Sequence, residues 1–185
     1  SAASDVYKRQ GAVELFVGEN STLRYSTIEN WSRNMYNLNT KRAHVEKNGL
    51  IQWISGSFGS KVSMLYPCSV LLGEHASSEY TGISFAGTDQ NIDTGAQVIH
   101  AAPYTTSTVD SKSISKSGGI GVYRGLVKIT ENAHHSKSSV SCESLMLDPE
   151  SRSDTIPVID IRNKDVDFGH EAKICLLYTS DAADD

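Results

Sequence analysis

Apolar residues in this chain recur mostly with period two, in short runs such as Val13 to Val17, Lys61 to Tyr66, Gln97 to His100, Tyr123 to Ile129 and Val158 to Ile161. Successive side chains of a strand leave on opposite faces, so alternation of this kind commits each run to a strand with one buried face. Between the runs lie Gly, Asn, Ser and Asp, which punctuate strands. No segment keeps apolar positions at helical spacing for long enough to predict a major helix, and the chain reads as nearly all β.

A weaker echo adds topology. Gly18-Glu19-Asn20-Ser21, Gly73-Glu74-His75-Ala76 and Thr130-Glu131-Asn132-Ala133 share a small or polar residue, Glu, a turn former and a small residue, each opening a strand. A small residue is what a tight corner between stacked strands accepts, so the recurrence predicts successive turns of a solenoid. A jelly roll is the alternative. Two-residue hairpin signals are rare and Ser and Thr are abundant, both of which favour parallel stacking of short strands. The expected fold is a right-handed parallel β-helix with coils of roughly 20 residues, about eight of them over residues 11–174.

The two ends stand apart from this reading. Residues 1–10 and 175–185 can be encoded by complementary strands of one DNA sequence, and they resemble a translated transposon-type sequencing adapter. The expected organisation is non-native sequence at 1–10 and 175–185 around a single β-helix core at 11–174, a gene fragment cut at both ends. The formal net charge is −5 at pH 7 and stays mildly acidic without the ends. No basic tract with interleaved aromatics is present, which argues against a nucleic-acid partner. No apolar run approaches the roughly 20 residues of a membrane span. Absence of a signal peptide carries no information, because the expected organisation puts the natural start outside the chain.

Two cysteines, Cys68 and Cys142, remain once Cys175 is assigned to the tail. Two widely spaced thiols make no disulfide framework and suit a reducing cytoplasm, where each is either buried packing or reactive chemistry.

Several blocks then agree in order with one family. Tyr123-Arg124-Gly125-Leu126-Val127-Lys128-Ile129 leads to Cys142-Glu143-Ser144-Leu145 and to Gly169-His170-Glu171-Ala172. Upstream stand Arg24 to Trp31, Thr40-Lys41-Arg42, Ser57 to Ser60 with Tyr66-Pro67-Cys68, Asp93-Thr94-Gly95 with Ile99-His100, and Ser111 to Ser115. Across residues 11–174 the chain resembles the SufB/SufD family of iron–sulfur cluster assembly scaffolds. The Tyr-Arg-Gly-Leu-Val wording sides with the SufB branch over SufD.

That resemblance implies a parallel β-helix and a scaffold, not a turnover enzyme, that receives sulfur and iron and builds a transient iron–sulfur cluster at a subunit interface. It implies Cys142 as sulfur acceptor and metal ligand, since a thiolate binds iron and carries sulfane sulfur as a persulfide. For a bare cysteine the alternative is a small buried apolar residue. His170 and Glu171 supply an imidazole and a carboxylate to complete coordination, and the resemblance ranks Glu171 first. Strand neighbours diverge, so only one of the two can face the side of Cys142 unless Gly169 permits a bend.

Glu29, Trp31 and Lys41 match family positions lining a sulfur route through the β-helix, where the family often carries Gln in place of Glu29. The alternative is an aromatic core residue beside a surface ion pair. The implied partners are SufD, whose β-helix pairs with that of SufB, the ATPase SufC, bound through a C-terminal region beyond Ile174, and a cysteine desulfurase with its sulfur-transfer protein. ATPase and desulfurase activities would reside in those partners.

Cys68 lies in an apolar strand and reads as core, and His100 as a residue packing or hydrogen-bonding in the stack. His134-His135 lack a metal-binding companion pattern and receive no site. Two other classes stay open. A β-helical carbohydrate-active enzyme would use Asp89, Asp93 and Asp110 with Lys112, and needs two acids at a defined separation in one groove. A purely structural solenoid would leave Cys142 and Glu171 with no reason to converge.

Overall fold

The computed structural model describes residues 7–177; residues 1–6 and 178–185, most of the two adapter-like ends, lie outside it. Within the described residues the chain is all β and without helix. The strands are β1 (Tyr7–Val17), β2 (Thr22–Glu29), β3 (Met35–Val45), β4 (Leu50–Ser57), β5 (Val62–Leu65), β6 (Cys68–Leu71) and β7 (Ser77–Ala86). They continue with β8 (Asn91–Thr94), β9 (Gln97–His100), β10 (Thr106–Ser115), β11 (Ile120–Ile129), β12 (Ser136–Met146), β13 (Arg152–Ile161) and β14 (Val166–Leu176).

Every pairing is parallel, and consecutive strands alternate between two sheets. One sheet runs β2, β4, β7, β10, β12, β14; the other holds β1, β3, the broken pairs β5/β6 and β8/β9, then β11 and β13. One strand per coil in the 6-stranded sheet makes six coils. Side chains bonded across neighbouring coils are 27 to 31 residues apart in sequence. The β-helix reading holds, and the expected eight short coils become six longer ones.

The reason lies at the corners. The three echo motifs are β-turns closed by Ser21 N–H to Gly18 O at 3.2 Å, Ala76 N–H to Gly73 O at 3.2 Å and Ala133 N–H to Thr130 O at 3.1 Å. The intervening corners use unlike residues: Gly49 N–H bonds Glu46 O at 2.9 Å, and Thr105 Oγ1 donates to Ala102 O at 3.0 Å. The echo therefore marks every second coil.

Left-handed backbone recurs once per coil at Asn20, Asn48, His75, Tyr104 and His135. Such a conformation costs a non-glycine residue about 1 kcal/mol, and stacking offsets it here. Asn48 Nδ2 donates to Asn20 Oδ1 at 2.9 Å, and the rings of His75, Tyr104 and His135 stack at 5.1 and 4.9 Å. His134 and His135 thus lie in a corner rather than on a strand, as a capping stack in which His135 Nδ1 meets Asp165 at 3.0 Å.

Inside, the alternation delivers a shared core including Val45, Ile51, Trp53, Leu71, Tyr80, Val98, Val109, Tyr123, Val127, Ile129 and Val140. Hydroxyl ladders thread it. His100 is fully buried with Nδ1 at 2.8 Å from Thr105 Oγ1 and Nε2 at 2.9 Å from Ser107 Oγ, and these continue to Ser136 and Ser138. Burial pushes the His100 pKa down to about 4, so the ring is neutral near pH 7.

Candidate functional site

Strand register decides which proposed residues can meet. On β12 the residues Ser136, Ser138, Val140, Cys142 and Ser144 are buried and their neighbours are more exposed, so Cys142 points into the solenoid. Its column of register partners is Thr27, Ser55, Gly82, Ser111, Cys142 and Ala172. All are small, and this seam runs along the interior from the first coil to Cys142, with hydroxyls at Thr27, Ser55 and Ser111 and none at Gly82. The adjoining interior column carries the bulk, with Tyr25, Trp53, Tyr80, Val109, Val140 and His170.

Two tyrosines lean from their own positions over glycines to reach the thiol. A Cβ on Gly82 would sit 2.4 Å from the Tyr80 hydroxyl, and one on Gly125 would sit 2.8 Å from that of Tyr123, so only glycine leaves these rings their place. Burial raises the pKa of both Cys142 and Tyr123; against it, a hydrogen bond with Tyr123 favours the Cys142 thiolate and one with the Ala96 backbone favours the Tyr123 phenolate. Ala96 occupies the break between β8 and β9, where the flanking Gly95 and Gln97 N–H groups keep their bonds to Leu65 and Pro67. Ser55 bonds the Tyr80 hydroxyl. Burial pushes the Cys142 thiol up to about 11, against the Tyr123 hydrogen bond, with the Asp110 carboxylate adding to the rise.

His170 and Glu171 part company. Ser141 is in register with Glu171 and Cys142 with Ala172, through a ladder that runs unbroken from Ser136 to Met146 with no bend at Gly169. Glu171 therefore leaves on the outer face, where it meets Lys173 at 2.9 Å with its side chain 63% exposed. His170, opposite Val140, shares the interior face with Cys142. Its Nε2 is buried without a hydrogen-bond partner, beside a hollow lined by Tyr123, Val140, Phe168 and other residues. Among the described residues no three His, Cys, Asp or Glu side chains converge as a metal cage.

At the other end of the seam, Lys41 on β3 faces inward and meets Glu29 at 3.1 Å and Thr27 Oγ1 at 3.3 Å. The pair is buried, at 9% and 10% side-chain exposure, so it is no surface ion pair. Asn37, fully buried, donates to the second Glu29 oxygen, and Asn39 donates to Asn37 at 2.8 Å. Trp31 is half-buried beneath the Arg9 guanidinium at 4.1 Å, and its Nε1 is buried without a partner.

The remaining candidates settle elsewhere. Cys68 is buried, in register with Arg42 and Gln97; burial pushes its thiol up and Arg42 opposes the rise. Asp93 lies on β8 against Arg124 at 2.7 Å, Asp110 lies on β10 in the other sheet, and Asp89 sits at an exposed corner. These acids share no groove, which removes the geometry a glycosidase needs. Lys112 pairs with Glu143 at 3.2 Å on the outer face.

Sequence reasoning passed over Tyr80, Tyr123, Asn37 and Ala96. Its one usable signal was the repeated Tyr-x-Gly of Tyr80-Thr81-Gly82 and Tyr123-Arg124-Gly125, an inward aromatic followed by the glycine it covers.

Comparison with known proteins gives one answer. The family described as "SUF system FeS cluster assembly, SufBD core domain" matches residues 2–179. A Mycobacterium bovis protein named as an iron-sulfur cluster assembly SufBD family protein is 47% identical over 178 residues, covering 94% of this chain and 21% of the relative. Its Mycobacterium leprae counterpart is 50% identical over 162 residues, 88% of this chain and 19% of the relative. One from Staphylococcus haemolyticus is 48% identical over 162 residues, 88% and 35%. The chain thus spans between 19% and 35% of these relatives' lengths.

Proposed function

The chain belongs to the SufBD core domain family of the SUF iron–sulfur cluster assembly system, and from that premise we propose that it is the core of a SufB-type scaffold. It accepts sulfur on Cys142, takes iron, and builds a transient cluster at its interface with SufD. The observation that carries this reading is the buried thiol of Cys142 at the end of the interior seam, where the Tyr123 hydroxyl favours its ionised form. A donor aimed at sulfur stabilises an anionic thiolate or persulfide there, which burial alone disfavours.

Lys41, Glu29 and Trp31 mark the entry of the sulfur route at the far end of the seam. Lys41 supplies a buried cation and the hydroxyls of Thr27, Ser55 and Ser111 supply polar steps toward Cys142. For iron, His170 is favoured as the ligand that shares an ion with Cys142, because its buried Nε2 has no partner and lies on the same face. Glu171 is then the ligand offered from the outer face, and sharing with Cys142 would require β14 to turn over at Gly169. The cluster is cargo on this scaffold, handed on after assembly.

The partners of this reading are SufD, the ATPase SufC, and a cysteine desulfurase with its sulfur-transfer protein, in the cytoplasm. No described helix is long and apolar enough to cross a membrane. Residues 1–10 and 175–185 are assigned to a translated adapter, although residues 7–10 extend β1 along β3 in the described chain. Sequencing the parent gene tests that assignment.

The function is tested by incubating the parent protein with the desulfurase and its sulfur-transfer partner, then trapping persulfides for mass spectrometry. The reading requires a persulfide on Cys142 that is lost in Cys142→Ser and reduced in Lys41→Met. Sulfur carried only on Cys68 would refute it.

A further inference from the structure

Lys41 and Asn37 meet inside the first coils with their N–H groups turned to one point, a carboxylate of the chain occupies that point, and Thr27 accepts from the Lys41 ammonium beside it. Lys41 Nζ lies 3.1 Å from Glu29 Oε1 and 3.3 Å from Thr27 Oγ1, while Asn37 Nδ2 donates to Glu29 Oε2. Asn39 donates to Asn37 Oδ1 at 2.8 Å, which fixes the Asn37 amide with its nitrogen toward Glu29. The ammonium also lies 5.7 Å from the centroid of the Tyr25 ring, a face that favours cations. An ammonium and a carboxamide N–H converging in a buried place are the donor set of an anion site.

We infer that this is an interior binding site for a small monoanion and that the Glu29 carboxylate is its resident occupant, so that an incoming anion competes with Glu29 for Lys41. Glu29 projects from β2, the sheet opposite Lys41 and Asn37, and so it enters the donor set from across the interior. Among the described residues the Glu29 carboxylate bonds Lys41 and Asn37, so its withdrawal leaves an oriented amide donor and a buried cation without their anion. A buried cation without a partner is strongly unfavourable, and a diffusible anion of carboxylate size restores the balance. That the natural anion is sulfur-bearing, a hydrosulfide or the anionic end of a persulfide, rests on the function proposed above; the anion site itself does not.

The two claims separate in one experiment. Thermal unfolding is followed for the wild type, Glu29→Ala and Glu29→Gln in matched ionic strength with added formate, bromide or hydrosulfide under anaerobic conditions. Glu29→Ala vacates the carboxylate volume and leaves Lys41 charged; Glu29→Gln fills the volume with a neutral group. The inference predicts a rise in midpoint for Glu29→Ala of about 5 to 10 °C at a hundredfold excess of anion over its dissociation constant. Wild type and Glu29→Gln stay level, and a Glu29→Ala, Lys41→Met double variant loses the response. If Glu29→Ala fails to fold alone, recovery of folding by formate or bromide is the same positive result. A Glu29→Ala protein stabilised no more than wild type by any of the three anions overturns the site. Stabilisation by formate and bromide but not by hydrosulfide keeps the site and removes its sulfur-bearing ligand.

Discussion

Cys142 and Glu171 sit on adjacent parallel strands one step out of register, and their side chains leave the sheet on opposite faces. Glu171 is held on the outside by Lys173, and an exposed, solvent-screened pair of this kind contributes little to stability. Glu171→Ala is therefore expected to leave the denaturation midpoint within about 0.5 kcal/mol of wild type. Any loss of iron binding in that variant then reports ligation and not unfolding, and denaturant titration beside iron analysis separates the two.

Tyr123 is buried, and its hydroxyl interacts with Cys142 and with the Ala96 backbone. Tyr123→Phe keeps the ring over Gly125 and strands the Ala96 donor in the core. An unsatisfied buried donor costs about 1 to 3 kcal/mol, and a loss of that size in chemical denaturation is expected. A neutral substitution would mean that the hydroxyl bonds neither group.

Gly95 holds the break between β8 and β9 against β11. A Cβ there would lie 1.8 Å from the Arg124 carbonyl oxygen, a backbone atom that cannot yield. Gly95→Ala is expected to cost more than about 3 kcal/mol or to prevent folding, which expression yield and circular dichroism will show.

The strand alternation of Tyr123 to Ile129 and the turn residues between runs made the β-helix legible, because period two and parallel stacking are local consequences of side-chain placement. Coil length was not legible, because the corners at Glu46 to Gly49 and Ala102 to Thr105 do the same work as Gly73 to Ala76 with unlike residues. Cys142, His170 and Glu171 could be picked out as candidates, but which of the last two shares the interior face with Cys142 could not, because that depends on an unbroken ladder through Gly169. The same holds for Lys41 and Glu29, whose pairing across the interior is buried only because β2 and β3 face each other there.

His100 gives the fold a pH dependence of known sign. Its folded pKa, about 4, lies below the unfolded value near 6.5, so the unfolded chain binds the extra proton between them. The His100 contribution is complete above about pH 6.5 and is lost as pH falls toward 4, on the order of 3 kcal/mol in all. Unfolding free energy measured against pH is expected to lose that slope in His100→Gln, whatever the absolute cost of the substitution.

The central claim is that Cys142, with an iron ligand beside it, is where a cluster is built. The most direct measurement is anaerobic reconstitution of the parent protein with SufC and SufD, iron and sulfide, read by absorption and Mössbauer spectra for wild type, Cys142→Ser, His170→Ala and Glu171→Ala. The account predicts a cluster in wild type, none in Cys142→Ser, and an altered iron environment in His170→Ala greater than that in Glu171→Ala. The same cluster spectrum in wild type and Cys142→Ser would contradict it.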